Sequence, residues 1–311
     1  MENSSPCPTD APAIQVRGAS KHYGAVRAVD GVDLEIGRGE VFGLIGHNGA
    51  GKSTLFKMLL GLVHPTAGDI RIHGAQVRGS GFRAVRRTIG YLPENVVLYD
   101  NLTGMETLRY FARLKGAPVG DCAGVLERVG LADAARRPVR EYSKGMRQRL
   151  GFAQALLGAP QVLFLDEPTT GLDPEAIRGF YATLRALREQ GVTMILSSHI
   201  LAELQERVDR LAILSAGRVQ AVGSVQALRE RMALPLRLEL ATSRSGAAAV
   251  RAAIGTLPVS SQRWQGARFF GHFPREARMA VLAALAGLGS DLQDFRIHEP
   301  SLEDVFFGFA D

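Results

Sequence analysis

Gly46-His47-Asn48-Gly49-Ala50-Gly51-Lys52-Ser53-Thr54 constrains this chain more than any other stretch. It has the G-x-x-x-x-G-K-S spacing of a loop that cradles a phosphate chain. Its setting is the one the chemistry requires. Val41 to Ile45 is a short apolar, β-favouring run, and Leu55 to Val63 is an apolar run suited to a buried helix. The loop therefore joins a buried strand to a helix. Its glycines let the backbone curl closely round an anion, with successive N–H groups pointing inward. The helix that follows adds its unpaired N–H groups and the positive end of its dipole. In this frame Lys52 reaches the β- and γ-phosphates and the Ser53 hydroxyl ligates Mg²⁺.

Such a loop needs a second metal anchor. Leu163-Phe164-Leu165-Asp166-Glu167 supplies it as an apolar strand that ends in two acids. The strand holds Asp166 at its carboxyl edge, within reach of the Mg²⁺ shell through water. Glu167 leaves the strand in another direction and is placed to polarise an attacking water. His199 follows the strand Thr193 to Ser197. In a parallel sheet that strand end faces the nucleotide, so His199 is expected at the γ-phosphate. Between the two motifs, Tyr142-Ser143-Lys144-Gly145-Met146 opens a helix running towards Leu157. Ser143 is a natural cap, and a helix start with a hydroxyl and a small glycine is an anion site. One phosphate loop does not need two anion sites. The second makes sense if it closes over a nucleotide held by another copy of the chain.

The rest of the chain organises round these motifs. Ile14 to Arg17 and Val29 to Ile36 read as antiparallel strands, with Tyr23 on the connection. Gly68 to Ile72 and Thr88 to Leu92 are further strands, and Pro93-Glu94-Asn95 ends the latter. Thr103-Gly104-Met105-Glu106 is a capping box, and Gly116 is placed to stop the helix it starts. Helical pattern then persists to 158, so about 95–158 is a helical insertion. Strands at Gln161 to Leu165, Thr193 to Ser197 and Leu211 to Leu214 alternate with helices marked by Ile177 to Leu187 and by Ile200, Leu204 and Val208. That alternation predicts an α/β domain over 14–235 with a largely parallel sheet covered on both faces. Residues 236–311 read as a small α+β accessory domain. It holds a strand at Leu236 to Leu240, a helix at Gly246 to Ile254 and a hairpin at Arg263 to Phe273. A helix at Arg275 to Leu288, a strand at Asp294 to His298 and a capped helix from Pro300 complete it.

Composition narrows the function classes. The net charge of +6 is spread, with no Lys/Arg block of nucleic-acid-tail length. The two cysteines, Cys7 and Cys122, show no metal spacing and read as free thiols in a reducing compartment. Met1 to Ala13 has neither a basic n-region nor an apolar h-region, so a disordered tail is expected and no secretory signal. No apolar run approaches the roughly 20 residues that span a bilayer. The chain is expected in the cytoplasm, and any membrane part of its task falls to another chain.

Taken together the motifs resemble the ATP-binding-cassette family over about residues 14 to 225, in the family's order. Gly46 to Thr54 resembles its Walker A loop and Leu163 to Glu167 its Walker B strand. Tyr142 to Met146 sits where the L-S-G-G-Q signature belongs. Asp173 matches the D-loop aspartate, His199 the switch histidine, and Tyr23 the aromatic that stacks on adenine. There are departures. The signature reads Y-S-K-G-M, which keeps Ser143 and Gly145 and adds Lys144 near the dimer seam. Glu94 stands at the Q-loop glutamine, where a carboxylate can still bind the metal's water shell. His47 replaces the more usual proline. Gly90 to Val96, Thr107 to Gly116, Tyr142 to Leu157 and the Pro300 to Val305 stretch are similar to the ATPase subunits of the nos branch, encoded with nitrous-oxide reductase.

The resemblance implies a P-loop α/β fold: a mixed sheet core with an antiparallel β subdomain and a helical subdomain. It implies ATP and Mg²⁺ as ligands and a head-to-tail pair that sandwiches ATP between Walker A of one copy and Ser143 and Gly145 of the other. A membrane permease would hold the pair at the inner face of the cell membrane. The nos branch adds a periplasmic protein and a copper or sulfur cargo. A drug or lipid exporter of the same wider branch is the alternative. A soluble cassette acting on nucleic acid or ribosomes is disfavoured, because the chain has one phosphate loop and no sustained heptads.

Overall fold

The computed structural model describes residues 11–231, 235–243 and 246–299. The expected tail to residue 10, Cys7 and the capped helix from Pro300 fall outside them. By contacts, the chain divides into two compact units, Met1–Ser224 and Val225–Asp311.

The first unit is built on a six-stranded sheet. Its strands run in the order Arg218–Gly223, Arg210–Ser215, Val41–Ile45, Thr193–Ser198, Val162–Asp166, Ile89–Leu92. The last five pair in parallel, and Arg218–Gly223 pairs antiparallel at one edge. Val41–Ile45, Val162–Asp166 and Thr193–Ser198 are buried at every position. This is what a parallel strand covered on both faces requires, and it is why these segments read as unbroken apolar runs rather than alternating ones. Phe42, Phe56, Phe164 and Leu214 belong to one core that also takes in the second sheet. That sheet is antiparallel, in the order Val26–Ile36, Ile14–Tyr23, Ala67–Ile72, Ala75–Gln76. The helical insertion contributes helices Gly104–Lys115, Cys122–Arg128 and Lys144–Leu156. The predicted capping box at Thr103 and Glu106 is formed, and Gly116 ends the helix in a left-handed conformation at φ 73°.

One sequence expectation in this unit changes. Ile200, Leu204 and Val208 do not mark a full helix: only Leu201–Leu204 is helical. The chain is pulled into the sheet instead. Asp209 N donates to Val41 O at 2.8 Å, and Asp209 Oδ2 accepts from Val41 N at 2.9 Å. Sheet pairing therefore wins over helical spacing. The edge strand Arg218–Gly223 and the helix Phe82–Arg87 are not among the sequence readings: neither has an unbroken apolar run, and the helix buries only Phe82.

The second unit is a four-stranded antiparallel sheet in the order Ser260–Gln265, Arg268–Phe273, Leu236–Thr242, Leu292–His298. Helices Ala247–Gly255 and Arg278–Ala286 follow the first and third of its strands in sequence. The result is the βαββαβ pattern. Its core is apolar: Leu236, Leu238, Leu240, Phe269 and Phe273 from the sheet, with Val250, Ile254, Val281 and Leu285 from the helices. The helix read from Arg275 begins with a 3₁₀ turn and is α-helical only over Arg278–Ala286.

Candidate nucleotide-binding site

Three parallel strands deliver their carboxyl ends to one cavity of about 590 Å³, and a fourth ends beside it. Val41–Ile45 leads into the phosphate loop, Val162–Asp166 ends on the acid pair, Thr193–Ser198 precedes His199, and Ile89–Leu92 precedes Glu94. The cavity is lined by His47, Asn48, Gly49, Gly51, Lys52, Ser53 and Thr54 from the loop, and by Glu94, Asp166 and Glu167 across from it. Gly46 and Ala50 shape the loop from behind. A Cβ on Gly46 would lie 2.4 Å from Leu214 O, so only glycine fits there. Gly51, at φ 106°, is held as tightly: a Cβ there would lie 2.3 Å from Ala28 O. Helix Lys52–Leu59 starts immediately after it, and its first residues, Lys52, Ser53 and Thr54, line the cavity.

The charges inside are locked together. Lys52, only 6% exposed, donates through Nζ to Gly46 O at 2.5 Å and lies 3.6 Å from Glu167 Oε1. Glu167 Oε2 accepts from His199 Nδ1 at 2.9 Å. Glu167 holds a left-handed backbone, φ 47°, which costs a non-glycine residue about 1 kcal/mol. The surrounding bonds over-determine it: Glu167 N donates to Ser197 Oγ at 2.9 Å, and Ser197 Oγ donates to Asp166 Oδ1 at 2.5 Å. Burial pushes the Asp166 carboxyl above its usual range. The Glu94 and Glu167 charges add to that shift, and the Ser197 hydrogen bond and Lys52 oppose it. Tyr91, on the strand before Glu94, has its hydroxyl pushed up to about 12 by burial and then by the Asp166 and Glu94 charges. These groups fit a magnesium nucleotide. Gly46 and Gly51 let the loop pack tightly on the carbonyls behind it, one buried cation lines the cavity, and the opposite wall is a set of hard oxygen donors.

Not every predicted residue joins this cavity. The sequence puts His199 on the γ-phosphate, and the structure places its Nδ1 on Glu167. Tyr23 is 48% exposed at the end of its strand, with Lys21 Nζ 5.1 Å from its ring centroid. It does not line the cavity, although the hairpin it starts brings Val26, Arg27 and Ala28 there. Ser143, Lys144, Gly145 and Asp173 form a separate cluster. Ser143 Oγ accepts from Met146 N at 3.2 Å as the cap of helix Lys144–Leu156. Asp173 Oδ1 accepts from Ala176 N at 2.8 Å as the cap of helix Pro174–Glu189. Lys144 lies against Gly171, and Gln148 Nε2 donates to Pro168 O at 3.3 Å, tying the signature helix to the loop after Glu167.

Sequence reasoning missed Ser197, Val26 to Ala28 and Ala216, all of which shape the site. Two serines closing an otherwise apolar strand beside Asp166 were the available signal for Ser197. The others reach the cavity through backbone hydrogen bonds between distant segments: Gly217 N donates to Ala50 O at 3.0 Å, and Asp30 N donates to Gly217 O at 2.8 Å.

Known proteins share this arrangement. Residues 29–170 match the family model described as ABC transporter. The daunorubicin resistance ATP-binding protein DrrA3 of Streptomyces coeruleorubidus is 38% identical over 94% of this chain and 94% of its own. The chain belongs to the ABC transporter ATP-binding family. This cassette is also 33% identical to the bacitracin transport ATP-binding protein BcrA of Bacillus licheniformis, over 94% of this chain and 95% of that one. Among solved structures, the ATP-binding subunit of an ABC transporter aligns with a TM-score of 0.66 at 34% identity, covering 71% of this chain and 93% of its own. A bacterial cassette solved as a dimer aligns at 0.63 with 25% identity, over 68% and 98%. The fold is that of a P-loop ATPase cassette, with its mixed sheet, antiparallel sheet and helical insertion, and the chain is an ATPase of this class.

Proposed function

We propose that this cassette is the ATP-hydrolysing subunit of an ABC-2-type exporter, working as a head-to-tail pair of copies. The observation that carries the reading is the separation of two half-sites. The phosphate loop and its carboxylates line one cavity, while Ser143, Gly145 and Asp173 sit outside it. A second copy, turned about, brings its signature helix start to the γ-phosphate side and completes the site. Lys52 and the loop amides bind and orient the phosphates. Ser53, Asp166 and Glu94 would hold Mg²⁺, partly through water, and the ion would supply charge neutralisation to the phosphate chain. Glu167 accepts the proton of the attacking water, and the His199 contact fixes which way its carboxylate faces. Tyr23 stacks on the adenine when its hairpin closes on the nucleotide.

Among the described residues no helix is long and apolar enough to cross a membrane. A permease chain supplies the membrane path and holds the pair at the cytoplasmic face. An exposed apolar strip supports that contact. Val97 and Tyr99 follow the Glu94 loop, and Tyr110 and Leu114 lie on the first helix of the insertion. The relatives reported above carry drug-resistance and antibiotic-transport names. They favour a drug-like cargo over the copper or sulfur cargo of the nos branch, whose periplasmic partner belongs to that weaker reading. The test is Glu167→Gln. It should bind ATP normally, lose hydrolysis by roughly 10²–10⁴-fold and elute as an ATP-dependent dimer. Near wild-type turnover would overturn the assignment of the base.

A further inference from the structure

A second cavity, of about 150 Å³, opens at the other end of the sheet from the nucleotide. It touches Val41, the first residue of the strand whose last residue leads into the phosphate loop. Its floor is Tyr181, which is 6% exposed and whose buried hydroxyl lies beside the Arg207 guanidinium but finds no acceptor for its O–H among the described residues. A buried O–H without an acceptor is costly, so the site is short of an acceptor. The walls are cationic. The Arg207 guanidinium stacks 3.6 Å from the Tyr181 ring centroid, and Arg185 and Arg188 line the same space. Three carboxylates offset them, and the charge of one, Glu203, reaches the Tyr181 hydroxyl. Asp209 is committed, since one oxygen takes Arg188 at 2.5 Å and the other takes Val41 N at 2.9 Å. Glu206 lines the rim. Arg185 and Arg207 are in no ion pair among the described residues.

We infer that this cavity is a binding site for a phosphate-class oxyanion, held by the Tyr181 hydroxyl and the Arg185 and Arg207 guanidiniums. Guanidinium forks and one O–H donor match the several acceptor oxygens of a phosphate group. The volume suits such a group and falls below the several hundred Å³ of a drug-sized pocket. The site has a position from which it acts on turnover. Tyr181 and Arg185 lie on the helix capped by Asp173, and Arg207 follows the helical turn after His199. A bound oxyanion braces these two segments against each other. The inference stands on these contacts and does not rest on the transport reading.

The experiment uses the full chain with saturating ADP, so that the phosphate loop is filled. Inorganic phosphate is titrated at constant ionic strength, with chloride as the control. At a tenfold excess over Kd the melting midpoint should rise by roughly 3–5 °C. Arg207→Gln should lose the rise, and Tyr181→Phe should weaken phosphate affinity about tenfold. Without phosphate, Tyr181→Phe should melt at or above the wild type, since it removes an unpaired hydroxyl; that separates a lost ligand from a damaged fold. A rise that persists in Lys52→Ala places the response outside the phosphate loop. A second arm sediments the protein with phosphatidic-acid vesicles against phosphatidylcholine alone. Vesicle binding lost in Arg207→Gln, without a response to free phosphate, makes the ligand a lipid headgroup. A response to free phosphate alone makes it a soluble anion. No response in either arm, or one that survives both Arg207→Gln and Tyr181→Phe, overturns the inference.

Discussion

Strand Val162–Asp166 buries Leu163, Phe164 and Leu165 and then buries Asp166 as well. Strand Leu236–Thr242 buries Leu236, Leu238 and Leu240 and leaves Arg237 exposed and Glu239 half-buried. The contrast holds for the units they belong to. The nucleotide-binding unit encloses Lys52, Asp166, Glu167, Ser197 and Ser198 at the ends of its strands. The accessory unit encloses one polar side chain among its described residues, Thr242, whose hydroxyl donates to Ala267 O at 3.2 Å. Burying charge works against folding unless every group is paired. The first unit tolerates that because its parallel strands are covered on both faces and its core is large. What it gains is a set of ions already aligned, so little reorganisation is left for the moment of reaction. The accessory sheet closes its core with apolar side chains and so carries no such cost.

If that contrast is right, the two units respond in opposite ways to substitution. Phe269→Ala in the accessory core should cost about 3–5 kcal/mol in that unit's stability, read by urea unfolding. ATP affinity of the folded protein should stay within about twofold. A large loss of ATP affinity would mean that the accessory core serves the site directly.

Asp166→Asn should do the reverse. Burial already raises this carboxyl, so its ionised form opposes folding. The amide should leave the nucleotide-free protein as stable as the wild type or more so. Affinity for the magnesium nucleotide should fall roughly 10–100-fold, the worth of a charge-assisted contact. Calorimetric titration with and without Mg²⁺ checks this, since the loss should vanish when the metal is chelated. Destabilisation of the nucleotide-free protein would show that the carboxylate is structural.

Ser197→Ala probes how the acid pair is held. The serine touches no phosphate, yet it ties Asp166 to the strained peptide of Glu167. Its loss should slow hydrolysis by roughly tenfold with ATP affinity nearly unchanged, as expected when a positioning contact is removed. Equal losses in both would put Ser197 in contact with the nucleotide.

Ser197 also shows where sequence reading stops. The phosphate loop, the Asp166-Glu167 pair and the Ser143 cap were legible because each is a run of neighbours whose chemistry depends on local backbone. The capping box at Thr103 was legible for the same reason. Ser197 meets Asp166 through the parallel register of two strands 31 residues apart, and Ala28 meets Gly51 through a hairpin from another sheet. No local pattern encodes such meetings. His199 lies between the two cases. Its strand end placed it at the site, and its partner, Glu167, became visible only with the side chains packed. The segment after it was misread as a full helix, because spacing registered Val208 and could not register the pull of Val41 on Asp209.

The smallest expected effect lies in the helical insertion, at a charge buried for structure rather than chemistry. Lys115 closes helix Gly104–Lys115, and its Nζ donates to Leu157 O at 2.7 Å. Burial lowers its pKa to about 8, against 10.5 for a free lysine. Between those values the unfolded chain holds a proton that the folded chain has released. Stability contributed by this group therefore rises as pH climbs through that window, and below pH 8 the burial penalty is present in full. Urea midpoints at pH 7.5 and 9.5 should differ in the wild type and converge in Lys115→Met, because a methionine fills the same space without a proton to lose. Burial pushes the Cys122 thiol up, so it titrates in the same window with the opposite sign, and the comparison is therefore made in a Cys122→Ala background. An unchanged slope in Lys115→Met would place the titrating group elsewhere and leave Asp166, with Glu94 and Glu167 beside it, as the first unit's clearest case of burial working against charge.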